Sequence, residues 1–424
     1  MTQQELKKEI SSGSLEKYSE LYSDIKKAEK RFLSAIDKFT ELFGDGRDIS
    51  VFSVPGRSEI SGNHTDHNHG SVLAGAVDRD IIAVASKNEL GKIRFLSEGY
   101  PWEEVDVSEI DDASAFENFT SRALIAGMAK GFKNLGEKIS GFDVYATSEV
   151  LKGSGISSSA AYEVMIGNIM NHLYCEGRVE NTEIAKLAQF AENVYFGKPS
   201  GLMDQMACAV GGFVFIDFCD PQNPIVAPLD FSLTERGYSL CIVNTGGNHA
   251  DLNEDYASVP LEMKKVAALF GAPVLRGIKE SDIIEKLPEI RSSLGDRAAL
   301  RALHFIRENE RVLRIKKALE NDELESFLAE VVASGDSSYK YLQNVYTTKN
   351  VSEQGISLAL AISEGFLHDK KSAWRVHGGG FAGTIQAFVK NEYVDEYVAL
   401  LNSVFGEGSA MRFRIRPHGA VKLY

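Results

Sequence analysis

Lys152-Gly153-Ser154-Gly155-Ile156-Ser157-Ser158-Ser159-Ala160-Ala161 decides how the rest of the chain reads. A strand pattern, Phe142–Thr147, precedes it. A helical pattern follows, with Tyr162, Met165, Ile166, Ile169 and Leu173 on one face. Glycines let the backbone approach a ligand closely. A helix start offers unpaired N–H groups and the positive end of the helix dipole. The serine hydroxyls add donors and a candidate metal ligand. The loop therefore suits a polyphosphate, with a purely structural turn as the competing reading. It is not a dinucleotide fingerprint, which wants Gly at Ser158 and an acidic residue about 20 further on. It is not a Walker loop either, which wants Gly-Lys-Ser/Thr after four spacers.

Outward from the loop the chain reads as α+β. Residues 1–45 carry Leu15, Tyr18, Leu21, Tyr22 and Ile25 at helical spacing and read as one or two amphipathic helices. The period changes at Ile49–Val54, before a Gly/His/Asn-rich stretch. Ile81–Ala85 and Lys92–Leu96 flank Asn88–Gly91 and read as a hairpin. A second helix is expected from about Thr182 to Tyr195. Strands are expected at Gly212–Phe218 and Leu240–Asn244, and mostly helix over 260–350. The end reads strand, Gly loop, strand, helix, strand: Ala373–Val376, His377–Gly383, Thr384–Val389, Glu392–Val404, Met411–Arg416. A domain break is expected near 205–220.

The 424 residues are 44% hydrophobic and 25% charged, ordinary for a globular protein. The formal net charge of −14 argues against nucleic-acid or anionic-membrane partners. No apolar run reaches the ~18 residues of a membrane span, and no secretory signal is visible. Cys175, Cys208, Cys219 and Cys241 are scattered with no CxxC pair, so free thiols in a reducing cytoplasm are expected.

The serine loop resembles the GHMP kinase motif Pro-x-Gly-x-Gly-Leu-Ser-Ser-Ser-Ala. Three further stretches resemble the galactokinase branch of that family. Pro55-Gly56-Arg57 with Gly62-Asn63-His64-Thr65-Asp66-His67-Asn68 is similar to Gly-Arg-x-Asn-x-x-Gly-Glu-His-Thr-Asp-Tyr-Asn. Gly201-Leu202-Met203-Asp204-Gln205 is similar to Gly-Ile-Met-Asp-Gln. His377-Gly378-Gly379-Gly380-Phe381-Ala382-Gly383 is similar to Gly-Gly-Gly-Phe-Gly-Gly. The order holds from about residue 50 to the C-terminus.

The resemblance implies a two-domain fold with the active site in the cleft. The expected division is a helical extension (1–48), a ribosomal S5 domain 2-like domain (49–212) and a ferredoxin-like domain (213–424). It implies ATP-dependent phosphorylation of a hexose at its anomeric hydroxyl, galactose first. Galacturonate or an N-acetylhexosamine is the rival sugar, and a catalytically silent sensor the rival class. Gly153, Ser154, Gly155, Ile156, Ser157, Ser158 and Ser159 would hold the nucleotide, and Ser159 with Glu192 would face Mg²⁺. Asp204 would take the sugar's proton, with Arg57 as counter-charge. Asn63, His64, Asp66, Gly201 and Tyr256 would contact the sugar. Gly378, Gly379 and Gly380 would close over both substrates. Sugar and ATP are then the partners of a cytoplasmic monomer or homodimer.

Several positions depart from the pattern. Asn63 replaces the family's Glu, and Ser58-Glu59 an apolar–Asn pair. His67 replaces Tyr, and Val376-His377 stands at the usual Thr position. Phe116–Phe119 stands where Trp-x-Asn-Tyr is usual. Asn63 is expected to remove a negative charge from the sugar site.

Overall fold

A computed structural model describes residues 1–150, 155–247 and 252–424. Among the described residues twelve strands form two sheets. They are β1 (Ser50–Ser61), β2 (Ser71–Lys87), β3 (Lys92–Ser97), β4 (Glu103–Asp106), β5 (Phe142–Ser148), β6 (Phe213–Asp217), β7 (Ile225–Leu229), β8 (Tyr238–Asn244), β9 (Ala373–His377), β10 (Thr384–Lys390), β11 (Ala410–Phe413) and β12 (Val421–Lys422).

The first sheet runs β12-β1-β2-β5-β3-β4, and β6 and β7 add to the far end of β2. The long strand β2 serves two neighbours: residues 71–75 pair with β6 and residues 81–87 with β5. Helices Ser121–Asn134, Ser158–Tyr174, Asn181–Phe190 and Met203–Val210 pack on one face. The other face, with Val51, Ile82, Val84 and Tyr145, is covered by the N-terminal helices Gln3–Ser11 and Ile25–Phe43 through Phe32, Ile36 and Phe39. The N-terminal extension is thus a structural layer on the sheet. Buried Asp80 ties it down, accepting from Tyr22 Oη (2.9 Å), Arg31 Nη1 (2.8 Å) and Ser53 Oγ (2.5 Å).

The second sheet is antiparallel in the order β11-β8-β10-β9. Numbered within the second sheet this is 4-1-3-2, the ferredoxin-like order that was expected. Helices from residue 253 to 367 lie between β8 and β9 in the chain.

One local expectation is corrected. Residues 81–85 and 92–96 do not pair as a hairpin; β5 lies between them, antiparallel to β2 and parallel to β3. The almost wholly buried β5 needs partners on both edges, and its insertion supplies them. Strand β1 runs from Ser50 to Ser61, through Arg57, Ser58 and Glu59. Its second half hides in polar sequence because each buried polar side chain there has a distant partner. The expected break after residue 212 falls just before β6, which hydrogen-bonds within the first sheet.

Candidate active site

Arg57 sits on β1, behind Gly56. A Cβ at Gly56 would stand 2.6 Å from Ile156 O, so only glycine lets the strand touch the serine loop. Arg57 N then donates to Ile156 O (3.0 Å) and Arg57 Nη1 to Gly155 O (2.6 Å). Its remaining guanidinium edge grips Asp204: Nε to Oδ1 and Nη2 to Oδ2, both 2.7 Å. This fork geometry is the strong form of an ion pair. Ser157 Oγ also donates to Asp204 Oδ2. Burial alone would raise the Asp204 carboxyl, but the Arg57 charge and these hydrogen bonds hold it below the usual carboxylate range.

Ser157 lies immediately before the 17-residue helix Ser158–Tyr174, with a left-handed φ of 55°. The helix N-terminus therefore opens beside the Arg57–Asp204 pair, a ready anion site. Ser158 and Ser159 form its first turn. Gly153 and Ser154, expected in the same loop, lie outside the described residues.

A cavity of about 170 Å³ adjoins this pair. Arg57, Glu59, Asn63, His64, Asp66, Met203, Gly378 and Gly379 line it. Asp66 and His67 also border a second hollow of about 210 Å³ that reaches Gly201. Gly201 is glycine for space: a Cβ there would stand 2.7 Å from Asp66 Oδ2. A larger open groove of about 600 Å³ lies between residues 245–247 and 347–358 and is bordered by Phe381 and Ala382 of the third glycine loop.

The third glycine loop joins β9 to β10 and closes on the first motif. Asn63 Nδ2 donates to Gly378 O (2.7 Å), and His64 Nε2 to Gly379 O (3.0 Å). Tyr256 is absent from the cavity lining; its hydroxyl donates to Gly380 O (2.9 Å), bracing the loop from behind. Burial pushes His64 down to about 4 and His377 to about 3, so both rings are neutral near pH 7. His377 Nε2 meets Ser58 Oγ at 3.1 Å and Nδ1 meets Thr384 Oγ1 at 3.0 Å. Two departures from the family pattern, Ser58 and His377, are therefore direct partners.

Asn63 and Glu59 are partners too. Asn63 Nδ2 donates to Glu59 Oε1 (2.9 Å), while Asn63 Oδ1 accepts from Asn344 Nδ2 (2.7 Å). The family's Asn and Glu have exchanged places, so the carboxylate lines the same cavity from four residues earlier. The expectation that the site loses a negative charge is corrected accordingly.

Sequence reasoning missed the support behind this loop. Helix Asp296–Glu320 carries His304 and Glu308 on one buried face. His304 Nε2 donates to Asn63 O (2.9 Å). Glu308 Oε1 accepts from Gly62 N and Ser61 Oγ, each at 3.0 Å, and Oε2 pairs with Arg311. Burial alone would raise Glu308, but Arg311, His304 and Arg375 lower it to about 2. The signal was present: Arg301, His304, Glu308 and Arg311 recur at helical spacing among apolar residues.

Glu192 is also buried. Its Oε1 pairs with Lys198 Nζ (2.7 Å) and its Oε2 accepts from Gln205 Nε2 (2.8 Å), which also donates to buried Glu163 (3.1 Å). Among the described residues no cluster of three His, Cys, Asp or Glu side chains could hold a metal by itself.

Residues 123–212 match the GHMP kinases N terminal domain, and residues 37–87 the galactokinase galactose-binding signature. The chain is 30% identical over 374 residues to a galactokinase of Streptomyces coelicolor, covering 87% of this chain and 92% of that one. The chain belongs to the galactokinase family. This sugar kinase is also similar in structure to Lactococcus lactis galactokinase complexed with galactose. The TM-score is 0.77 at 25% identity, over 92% of this chain and all of that one. The galactokinase family's wider fold extends to a mevalonate kinase at TM-score 0.60 and 16% identity, covering 86% and 98%. Among the described residues no helix of this family member is long and apolar enough to cross a membrane.

Proposed function

We propose that the protein transfers the γ-phosphoryl group of ATP to the anomeric hydroxyl of galactose. The observation that carries this reading is the Asp204 carboxylate, forked by Arg57 and set between a helix N-terminus and a small polar cavity. The helix N-terminus and Ser157–Ser159 hold the nucleotide phosphates. The sugar enters the cavity with its anomeric hydroxyl toward Asp204. As the new O–P bond forms and the β–γ bridge breaks, Asp204 accepts the hydroxyl proton. Arg57 keeps Asp204 ionised and offsets charge on the transferring group.

Mg²⁺ fits this donor set. Glu192 presents one buried carboxylate paired with half-exposed Lys198, and Ser159 lies in the first turn of helix Ser158–Tyr174. One carboxylate, a hydroxyl, waters and phosphate oxygens are what Mg²⁺ ordinarily takes. The ion would neutralise phosphate charge. Glu192 and Ser159 would orient it.

The cavity's charge supports a neutral hexose over galacturonate: Glu59 and Asp66 line it, and Arg57 is committed to Asp204. Intact Asp204 and Glu192 support an enzyme over a silent sensor. We also place the two domain units on either side of residue 229, since β6 and β7 belong to the first sheet. The reading puts the enzyme in the cytoplasm, where its four free thiols would stay reduced. The test is ADP release with Mg·ATP across a sugar panel. Galactose is expected to turn over and glucose not; turnover of galacturonate without galactose would overturn the choice of sugar.

A further inference from the structure

We propose that Glu59 selects the sugar, its unshared carboxylate oxygen accepting a substrate hydroxyl and repelling sugars that carry a carboxylate. The inference rests on the kinase reading above and names a specificity residue within it.

Glu59 lies on β1 and lines the cavity. Its Oε1 is occupied by Asn63 Nδ2 (2.9 Å) and Arg375 Nη2 (3.2 Å). Its Oε2 has no hydrogen-bond partner among the described residues, and it is not among the sealed, unpaired atoms. That oxygen therefore faces the cavity. A carboxylate oxygen with no donor is costly in a buried setting unless a ligand supplies one. Asp66, across the cavity, spends Oδ1 on the His67 backbone N–H (2.9 Å) and leaves Oδ2 without a hydrogen bond among the described residues.

The cations nearby are already committed. Arg57 gives Nε and Nη2 to Asp204 and Nη1 to Gly155 O. Arg375 gives Nε to Val376 O, Nη1 to Ile60 O and Nη2 to Glu59. His64 donates to Gly379 O as a neutral ring, and half-exposed His67 sits 3.7 Å from Asp66. The cavity thus presents acceptors. Its complement is a molecule with hydroxyl donors toward Glu59 and Asp66, and a carboxylate there would meet two like charges.

The test compares kcat/KM for galactose and galacturonate in the wild type, Glu59→Gln and Glu59→Asp, with thermal melts of each. Glu59→Gln keeps an acceptor for Asn63 and removes the charge. It is expected to lower kcat/KM for galactose about 10- to 100-fold, the scale of one charged hydrogen bond. The galacturonate-to-galactose ratio should rise by at least about tenfold on the same scale. Equal losses for both sugars would mark Glu59 as a mere partner of Arg375 and overturn the proposal. If Glu59→Gln does not fold, Glu59→Asp decides. It keeps the charge beside Arg375 but withdraws the oxygen, so galactose kcat/KM should fall while galacturonate stays excluded. Unchanged galactose kinetics would overturn the proposal. A wild type that releases no ADP with galactose would instead overturn the function reading, a distinct outcome.

Discussion

The two halves of strand β1 are both buried and chemically opposite. Residues 51–54 carry Val51, Phe52 and Val54 into apolar cores on the two faces of the sheet. Residues 57–61 bury Arg57, Ser58, Glu59 and Ser61, with Arg57 and Glu59 lining the cavity. Apart from Ser53, which donates to Asp80 and accepts from Arg416, the first half needs only volume from its neighbours. The second half needs named partners, and each comes from far along the chain: Asp204, His377, Arg375 and Glu308. An apolar buried segment is stabilised by area removed from water, at roughly 25 cal/mol per Å². A polar one is tolerated only where hydrogen bonds replace the lost hydration. That difference is why the strand stiffens the domain at one end and holds the site at the other.

The sharpest break of this contrast is Asp204→Ala. It should lower kcat by at least about 10³-fold, through loss of the proton acceptor and its charge. Sugar binding, read by calorimetry, should persist; surviving turnover would refute the assignment. Phe52→Ala strikes the other half. It should cost about 3–5 kcal/mol of stability in a denaturant melt, as a cavity does, with kcat within about twofold. A large loss of kcat in the folded protein would mean that the halves are not separable.

Glu308→Gln tests the shell behind the polar half. Glu308 titrates near 2 when folded, below its ordinary range. Its contribution, on the order of 3 kcal/mol, is therefore present above about pH 4.5 and lost as pH falls toward 2. The variant should be less stable at neutral pH, with the gap to wild type closing in acid. A pH-independent gap would refute the assigned ionisation. The smallest effect belongs to Ser58→Ala. Its hydroxyl sits between His377 and Gln386, so its removal should cost about 1–2 kcal/mol and change kcat only a few-fold.

Much of this was legible in residue order alone. Four motifs announced the family, and the ferredoxin-like sheet followed from strand, loop, strand, helix, strand near the C-terminus. The serine loop, Arg57, Asp204 and the third glycine loop stood out as candidates because each belongs to a short local motif of the family. Position was not readable. The 81–96 hairpin failed because pairing depends on β5, some fifty residues later. Asn63 looked like a lost charge because single positions were weighed apart, while in the fold it hydrogen-bonds Glu59, which restores that charge.

The amino-acid sequence by itself determined the family and the residue types proposed for its chemistry: a serine-glycine loop, a carboxylate, an arginine and the galactokinase signature. Those follow from side-chain identity and short spacing, which local backbone rules translate directly. Tertiary structure alone decided which polar groups are already spent on one another and which remain for a substrate. Hydrogen-bond capacity is finite and is shared among residues hundreds of positions apart. Only the folded chain leaves Glu59 Oε2 without a donor among the described residues while committing both arginines beside it.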